Sequence, residues 1–537
     1  MSAVATTTTT GGRAVAHALA AHGVEVVWGI PGTHNLEIYA GLSAAGIRHL
    51  SPRHEQGAGF AADGYSRVTG RPGVCVTTSG PAVLNAATAL GQAYSDSIPV
   101  LLVAAGMPLR APGLGNGELH ETKDLVGALD GIVAYAHRVT SVAEIPVAVA
   151  QAFARMTTGR PRPVVVEIPL DVLADEGDVQ AVPAPPPPVL APPPSAVDAA
   201  AALLSRAHRP AVLAGGGASR AAAEVRLVAE RLGAPVACSI NGKGTVPEDH
   251  PLSVGAGYAA AAVRDLVDES DAVLVVGSEL APSDLWLGPL DLGGKVVRID
   301  VDPAQAVTNA VPAVTIVADA GLALGALLDE LGAGEGFDPG DLDAPGVARA
   351  ARFRDALRAE ARANAAPWSD LLDGLAAALG RDGIVVADNA MVAYNGALGA
   401  LPAYHPRSFL FPTGYGTLGY AVPAAIGAKI GRPRDRVVAL SGDGGLMFTV
   451  GELAAGAQAR VALPVVVSDN RGYGEIRREM AERGDPLLGV DFDSPDFAAL
   501  GRALGCHGVV AADRAALDEA LERAFAADRP TVIHVPE

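Results

Sequence analysis

Short runs of Val, Ile, Leu and Ala alternate with helix-length segments along almost the whole chain. Runs of this kind are buried on both sides and the intervening helices supply the covering layers, so the pattern demands parallel sheets. Strands are expected at Val24–Ile30, Gly73–Thr78, Val100–Ala105 and Val164–Ile168, with helices over stretches such as His54–Val68 and Pro81–Tyr94. The series restarts with Ala211–Ala214, Pro235–Ser239, Ala272–Val276 and Val296–Val301, and again with Ile384–Ala387, Val437–Leu440, Pro464–Ser468 and Thr531–Val535. A Pro-rich stretch around Pro183–Pro194 and a Gly/Asp/Pro-rich one from Gly332 separate the three series. The expected class is α/β, with three doubly wound parallel-sheet domains. Their expected bounds are residues 11–180, 197–331 and 365–537, joined by a Pro-rich linker at 181–196 and a second linker at 332–364. The first and last series close alike, with Arg162-Pro163 before Val164–Pro169 and Arg529-Pro530 before Thr531–Pro536. That is either an internal duplication around a different, Rossmann-like middle unit or a common helix–turn–strand ending.

The 537 residues give length for several cores. A formal charge of -19 argues against a nucleic-acid partner and against an anionic membrane surface, because both need a basic face. Cys75, Cys238 and Cys506 lie far apart without a CxxC pair, so a reducing compartment is expected rather than a disulfide framework or zinc site. The longest uncharged stretch, Pro72–Ser95, is broken by Gly, Pro and Asn and does not read as a membrane span. Met1–Thr10 lacks the apolar core of a signal peptide, and a cytoplasmic location is expected.

Chemistry first shows at the end of the Val437–Leu440 strand, in Ser441-Gly442-Asp443-Gly444-Gly445. Glycines at a strand's carboxyl end let backbone amides approach a phosphate, and a helix is expected to start near Phe448. The next strand ends in Asp469-Asn470-Arg471-Gly472. Adjacent parallel strands would bring Asp443 and Asn470 together as hard oxygen ligands, the kind Mg²⁺ or Ca²⁺ takes. The tripeptide Gly-Asp-Gly by itself is better explained as a turn. The pair resembles the thiamine diphosphate signature, GDG with a downstream NN, with Asp469 in place of the first Asn. The resemblance implies that Asp443, Asn470 and the Gly472 carbonyl bind Mg²⁺, which holds the cofactor's diphosphate against Gly442, Gly444 and Gly445.

Thiamine chemistry also needs the cofactor's thiazolium carbon to lose a proton to its own aminopyrimidine. A carboxylic acid at the opposite ring nitrogen promotes this, and a Glu with its pKa raised by an apolar site suits the task. Arg53-His54-Glu55-Gln56-Gly57 opens an Ala/Gly-rich helix, where Glu55 taken alone merely decorates a helix N-terminus. The block resembles the RHEQ block of the acetolactate synthase and pyruvate decarboxylase superfamily, which implies that Glu55 is the activator. Gly29-Ile30-Pro31-Gly32 resembles the superfamily's first strand–helix loop, which makes Pro31 a cofactor contact. Ser79-Gly80-Pro81 resembles its TSGPG-type turn, with Gly80 and Asn85 near the aminopyrimidine. Gly414–Gly419 has GxGxxG spacing but lacks the strand–helix context of a dinucleotide fingerprint. It resembles the loop that bends thiamine diphosphate, in which the Gly416 carbonyl accepts from the 4'-amino group and Leu418 wedges between the rings. Asn389 is a further cofactor-contact candidate. The motifs occur in family order. They imply pyrimidine-binding, middle and diphosphate-binding domains, a homodimer as the minimum active unit because Glu55 of one subunit faces another's diphosphate domain, and commonly a homotetramer.

In this superfamily a 2-oxo acid loses CO₂, and the remainder is either protonated to an aldehyde or joined to a second carbonyl. Acetolactate synthases have an apolar residue near Glu475, a Gln-Trp pair near Arg478 and Glu479, and a GxRFDDR-like block where this chain has Gly277–Asp284. The altered block argues against FAD, although Gly215-Gly216-Gly217 leaves either a nucleotide contact or a plain tight turn open. Pyruvate decarboxylases carry Asp where this chain has Thr33, a catalytic candidate by position, and a His pair near Ala111-Pro112 that is missing here. His120 follows Leu119, a substrate-pocket candidate, and lies where synthases carry a cofactor-facing Gln. It is a proton donor, a carboxylate-binding group or an ordinary loop histidine. Glu475 occupies a pocket position that relatives keep apolar or small. A carboxylate there needs a cation, supplied either by a basic substrate or by a nearby arginine such as Arg471 or Arg477, in which case Glu475 says nothing about the substrate. The HEQGAGF, LHET and NRGYGEI blocks resemble 5-guanidino-2-oxopentanoate decarboxylases. The expected function is therefore thiamine-diphosphate- and Mg²⁺-dependent decarboxylation of a 2-oxo acid, basic or polar, with acetolactate synthase-like carboligation as the alternative. A nucleotide-dependent oxidoreductase and a catalytically silent cofactor-binding protein are the remaining classes.

Overall fold

The computed structural model describes residues 6–110, 115–183, 190–332, 338 and 340–537. Pro185–Pro188 of the Pro-rich stretch and Ala111-Pro112 lie outside the described residues. Each series folds into a six-stranded, wholly parallel sheet. The first runs, edge to edge, Arg48–Leu50, Val26–Gly29, Gly73–Thr77, Val100–Gly106, Val164–Pro169 and Tyr135–Arg138. The third runs Phe409–Leu410, Ile384–Ala387, Val437–Gly442, Pro464–Asp469, Thr531–Pro536 and His507–Val510. In chain order both read 2-1-3-4-6-5. The middle sheet is Ser253–Ala256, Val236–Cys238, Pro210–Ala214, Ala272–Val276, Val296–Asp300 and Val314–Val317. It reads 3-2-1-4-5-6, the order of dinucleotide-binding folds. Two domains of one topology thus flank a different one, as the matched endings suggested. Apolar clusters cover both faces of every sheet. An antiparallel ribbon of Thr6–Thr10 with Glu176–Gln180 ties the chain's start to the end of the first domain.

Two features depart from the sequence reading. Both edge strands of each sheet went unseen, because they are half-exposed, two residues long, or, at Ser253–Ala256, poor in β-branched residues. The expected linker at 332–364 is also largely a helix, Pro345–Asn364. Val347, Ala350, Phe353, Leu357 and Ala361 recur at helical spacing and are buried, the first four within the middle domain's apolar clusters. Among the described residues no helix is long and apolar enough to cross a membrane.

The first and third domains meet through helices Glu55–Thr69 and Ala421–Gly431. Their contact is nearly backbone to backbone. A Cβ at Gly64 would lie 2.1 Å from the Ala424 carbonyl oxygen, and one at Gly427 would lie 1.9 Å from that of Ala61. Phe60 and Val68 share an apolar cluster with residues of the partner helix, including Ala421, Ala424 and Ala428.

Candidate cofactor and substrate site

Strand Val437–Gly442 turns directly into a short helix, Asp443–Phe448. The helix expected to begin near Phe448 therefore ends there, because extended Gly442 caps it and the Asp443 carboxylate favours its first turn. Asp443 is buried, and its Oδ2 accepts from the Gly472 N–H at 2.8 Å. Ser494 Oγ lies 3.4 Å from Asp443 Oδ2 and 2.6 Å from Asp469 Oδ1, while His534 Nε2 lies 2.9 Å from Asp469 Oδ2. Burial, and then the neighbouring Asp469, push the Asp443 carboxyl up to about 6. Burial also acts on Asp469, but hydrogen bonds from Ser494 and His534 outweigh it and hold that carboxyl below its ordinary value. Asn470 Oδ1 is buried without a hydrogen-bond partner. An acid made reluctant to ionise beside a second acid, and an orphaned amide oxygen, form a donor set that a hard divalent cation satisfies. Among the described residues no group of three or more His, Cys, Asp or Glu is placed to hold a metal. An ion here would therefore need amide or backbone oxygens besides Asp443. Gly444 and Gly445 are walled in. A Cβ would lie 2.8 Å from the Tyr473 ring and 3.1 Å from the Asp388 carboxyl, respectively.

The loop with Gly416 and Leu418 is tied down at both ends. Buried Asp96, from the first domain, accepts the N–H groups of Thr413 at 3.2 Å and Gly414 at 2.9 Å. Buried Asp388, just past the Ile384–Ala387 strand, accepts the N–H of Gly419 at 3.0 Å and the Ser441 hydroxyl at 3.1 Å. Its carboxyl is pushed up to about 6 by burial. Arg67 links Asp96 at 2.7 Å to Asp63 at 2.6 Å, and the Tyr420 hydroxyl donates to Asp63 at 2.6 Å. Removing one member of such a buried set would leave an uncompensated charge. Gly416 sits at φ +65°, a left-handed conformation, and its carbonyl accepts from Asn389 Nδ2 at 2.9 Å. Leu418 is half-buried beside it. Asp388 was missed in the sequence, although its place at a strand's carboxyl end was the available signal.

Glu55 opens its helix half-buried, and its Oε2 accepts from Asn85 Nδ2 at 3.0 Å. The backbone entering that helix is gripped by Glu452 of the third domain, whose Oε1 accepts from Arg53 N and His54 N, each at 2.9 Å. Glu452 is buried, and burial pushes its carboxyl up to about 7 against the pull of these bonds. No sequence pattern announced this grip.

A histidine pair sits over the neighbouring turn. His34 Nδ1 is 2.6 Å from Ser79 Oγ, which is 3.4 Å from His120 Nδ1, and the two imidazoles meet edge-on at 5.0 Å. Burial, then His120, lower the His34 pKa. Gly80, at φ +61°, makes room for His120. A Cβ there would lie 2.4 Å from the His120 carbonyl oxygen. Thr33 and Pro31 are exposed, and Leu119 is 61% exposed. The sequence reading singled out Thr33 and overlooked His34 beside it.

Glu475 lies in the first turn of helix Gly474–Arg483. Its cation is neither Arg471 nor Arg477. Arg478, one turn along the same face, pairs with Oε1, and the Tyr394 hydroxyl donates to Oε2 at 3.0 Å. Arg477 is engaged by Asp491 at 2.7 Å. Tyr394 belongs to a π-helical turn, Val392–Ala397, that follows Asn389. A Cβ at Gly474 would lie 2.6 Å from Asn470 Nδ2 and 2.7 Å from Met391 Sδ, so Glu475 adjoins the Asp443–Asn470 segment. No hydrogen bond or ion pair among the described residues joins Glu55, Asn85, His34 or His120 to Asp443, Asn470 or Gly416. In the middle domain, a Cβ at Gly215 would lie 2.2 Å from the Gly277 carbonyl oxygen, so this glycine serves the packing of two turns against each other.

Three family models match the chain: the N-terminal TPP binding domain of thiamine pyrophosphate enzymes over residues 9–128, their central domain over 197–327, and their C-terminal TPP binding domain over 393–535. The chain is 43% identical to a protein of Pseudomonas aeruginosa named probable 2-ketoarginine decarboxylase, over 98% of this chain and 94% of that one. It is 32% identical to the large subunit of acetolactate synthase isozyme 2 of Escherichia coli, over 98% and 95% of the two chains. A probable acetolactate synthase large subunit of Methanocaldococcus jannaschii is also 32% identical, over 98% and 91%.

Proposed function

The chain belongs to the thiamine pyrophosphate enzyme family, and from that membership we propose that it decarboxylates 5-guanidino-2-oxopentanoate (2-ketoarginine) with thiamine diphosphate and Mg²⁺. It is an enzyme acting on 2-oxo acids. The observation that carries the substrate is the 43% identity, over nearly the whole of both chains, to the probable 2-ketoarginine decarboxylase; Glu475, a carboxylate that shares its oxygens between a tyrosine hydroxyl and a guanidinium, is compatible with it. A substrate bearing a guanidinium matches it, whereas pyruvate, the small acid of acetolactate synthases, has nothing to offer such a group.

When bound, thiamine diphosphate supplies the carbon nucleophile and the electron sink for loss of CO₂. The chain's residues do the rest. Asp443, Asn470 and the Gly472 carbonyl would hold Mg²⁺, and Gly442, Gly444 and Gly445 would let the backbone approach the diphosphate. Asn389, Gly416 and Leu418 would shape the ring-binding loop, which Asp96 and Asp388 hold in place. Glu55, hydrogen-bonded by Asn85, would offer its acid to the aminopyrimidine ring of a cofactor in a second subunit's site, with Pro31 and Gly80 nearby. His120, coupled to His34 through Ser79, gives the proton that completes the aldehyde, with Thr33 and Leu119 at the pocket mouth. No hydrogen bond or ion pair among the described residues joins Glu55 or Asn85 to Asp443, Asn470 or Gly416 within one chain, which is compatible with a homodimer as the minimum unit; the homotetramer is what the family resemblance implies. The three buried, free cysteines are compatible with a reducing, cytoplasmic compartment. FAD forms no part of the proposal.

Mass spectrometry of products from a panel of 2-oxo acids tests the reading. We expect 4-guanidinobutanal and CO₂ from 5-guanidino-2-oxopentanoate as the preferred reaction. Acetolactate from pyruvate as the dominant product would reject it.

A further inference from the structure

We infer that Arg478 is a built-in stand-in for the substrate's guanidinium, seated on Glu475 until substrate displaces it, while the Tyr394 hydroxyl holds the carboxylate for the exchange. The inference rests on the reading that Glu475 receives the cationic end of the substrate. The two partners of this carboxylate are unlike. Tyr394 projects from the π-helical turn Val392–Ala397, a rare local geometry that recurs where a helix must re-aim a side chain. Burial, then Glu475, push its phenol well above the ordinary range, so it remains a donor. Arg478 is the labile partner. Its side chain is 48% exposed, and its Nε already lies 3.8 Å from Glu482 Oε1 on the next turn. Leaving Glu475 therefore costs only an exposed ion pair, and Arg478 keeps a second acid to rest on.

The arrangement explains how an acid survives in this position without substrate. Glu475 is 29% exposed, and with Tyr394 alone it would be a partly solvated carboxylate without a counter-charge. Arg478 supplies that charge through a single contact, Nη2 on Oε1, while Oε2 is held by Tyr394. The oxygen that an incoming guanidinium would take is thus already one that a guanidinium occupies.

The test uses the holoenzyme and the ratio of kcat/KM for 5-guanidino-2-oxopentanoate to that for 2-oxopentanoate, which lacks the cationic end. Arg478→Ala removes the internal competitor and should raise this ratio about two- to five-fold, the worth of an exposed ion pair. Glu475→Gln should lower it about ten-fold or more, and Tyr394→Phe about three- to ten-fold. Calorimetric binding of 5-guanidinopentanoate, which keeps both charged ends and lacks the ketone, should tighten in Arg478→Ala. An unchanged or lowered ratio with unchanged or weakened binding in Arg478→Ala overturns the stand-in role and leaves the substrate reading intact. A parent enzyme that decarboxylates other 2-oxo acids but not the guanidino acid overturns the substrate reading itself.

Discussion

Replacing Glu452 with Gln should stabilise the protein at pH 8 and do little at pH 5. The carboxyl titrates ordinarily at 4.5 and stands at about 7 in the fold, chiefly because it is buried. The native chain therefore keeps its proton between these values while the unfolded chain has released it. Stability is whole below the lower value and is lost as pH rises toward the upper one, by about 1.4 kcal/mol per pH unit and about 3 kcal/mol in all by pH 8. Gln keeps an oxygen for the Arg53 and His54 N–H groups and carries no charge. The variant's advantage should thus grow by about 2–3 kcal/mol from pH 5 to pH 8. Urea midpoints of both proteins, measured side by side without cofactor at pH 5, 6, 7 and 8, give the difference, in which all other titrating groups cancel. Glu452→Ala is the control. It removes the acceptor of two part-buried N–H groups and should cost about 0.5–1.5 kcal/mol for each at every pH. A difference between Gln and parent that stays flat, or shrinks toward pH 8, would refute the reasoning, because ionised Glu452 would then be a net stabiliser.

Mg²⁺ affinity, read by calorimetry with thiamine diphosphate present, should fall about ten-fold per pH unit below about 6, because Asp443 must lose its proton to bind the ion. A pH-independent affinity would remove Asp443 as a ligand. Glu55→Gln should lower CO₂ release by about 100-fold or more while cofactor binding persists, and full activity in that variant would end its role as activator. His120→Phe should slow aldehyde formation by about 100-fold while cofactor binding persists. Parent-like rates would make it an ordinary loop histidine.

The sequence showed the parts of the fold that repeat a strong local signal. The four central strands of each sheet are continuous apolar runs and were placed within a residue or two. The edge strands lack that signal, and helix Pro345–Asn364 was hidden behind a Gly/Asp/Pro-rich approach and an Arg-rich surface. The site divides in the same way. Asp443, Asn470, Gly416 and Glu55 sit in contiguous motifs, so the chain itself announces them. Asp388, Glu452, Tyr394 and His34 act on residues 31, 398, 81 and 45 or more positions away, and only tertiary packing selects them. Glu475 marks the limit. Its oddity and a nearby arginine partner were both legible, but which arginine was not, because pairing on a helix depends on its turn and not on nearness along the chain.

The seam between helices Glu55–Thr69 and Ala421–Gly431 sets a gauge that side chains cannot adjust. Main-chain oxygens of Ala424 and Ala61 fill the space where methyl groups at Gly64 and Gly427 would stand. The separation between the two outer domains is then a property of the polypeptide itself, so the acid at the head of one helix cannot drift as neighbouring residues change. If the proposed roles hold, variation in what the enzyme accepts would fall to parts off this axle, such as the turn carrying Tyr394 and the helix carrying Glu475 and Arg478. A chassis locked in this way would let a pocket be refitted for a new substrate without moving the acid proposed to activate the coenzyme.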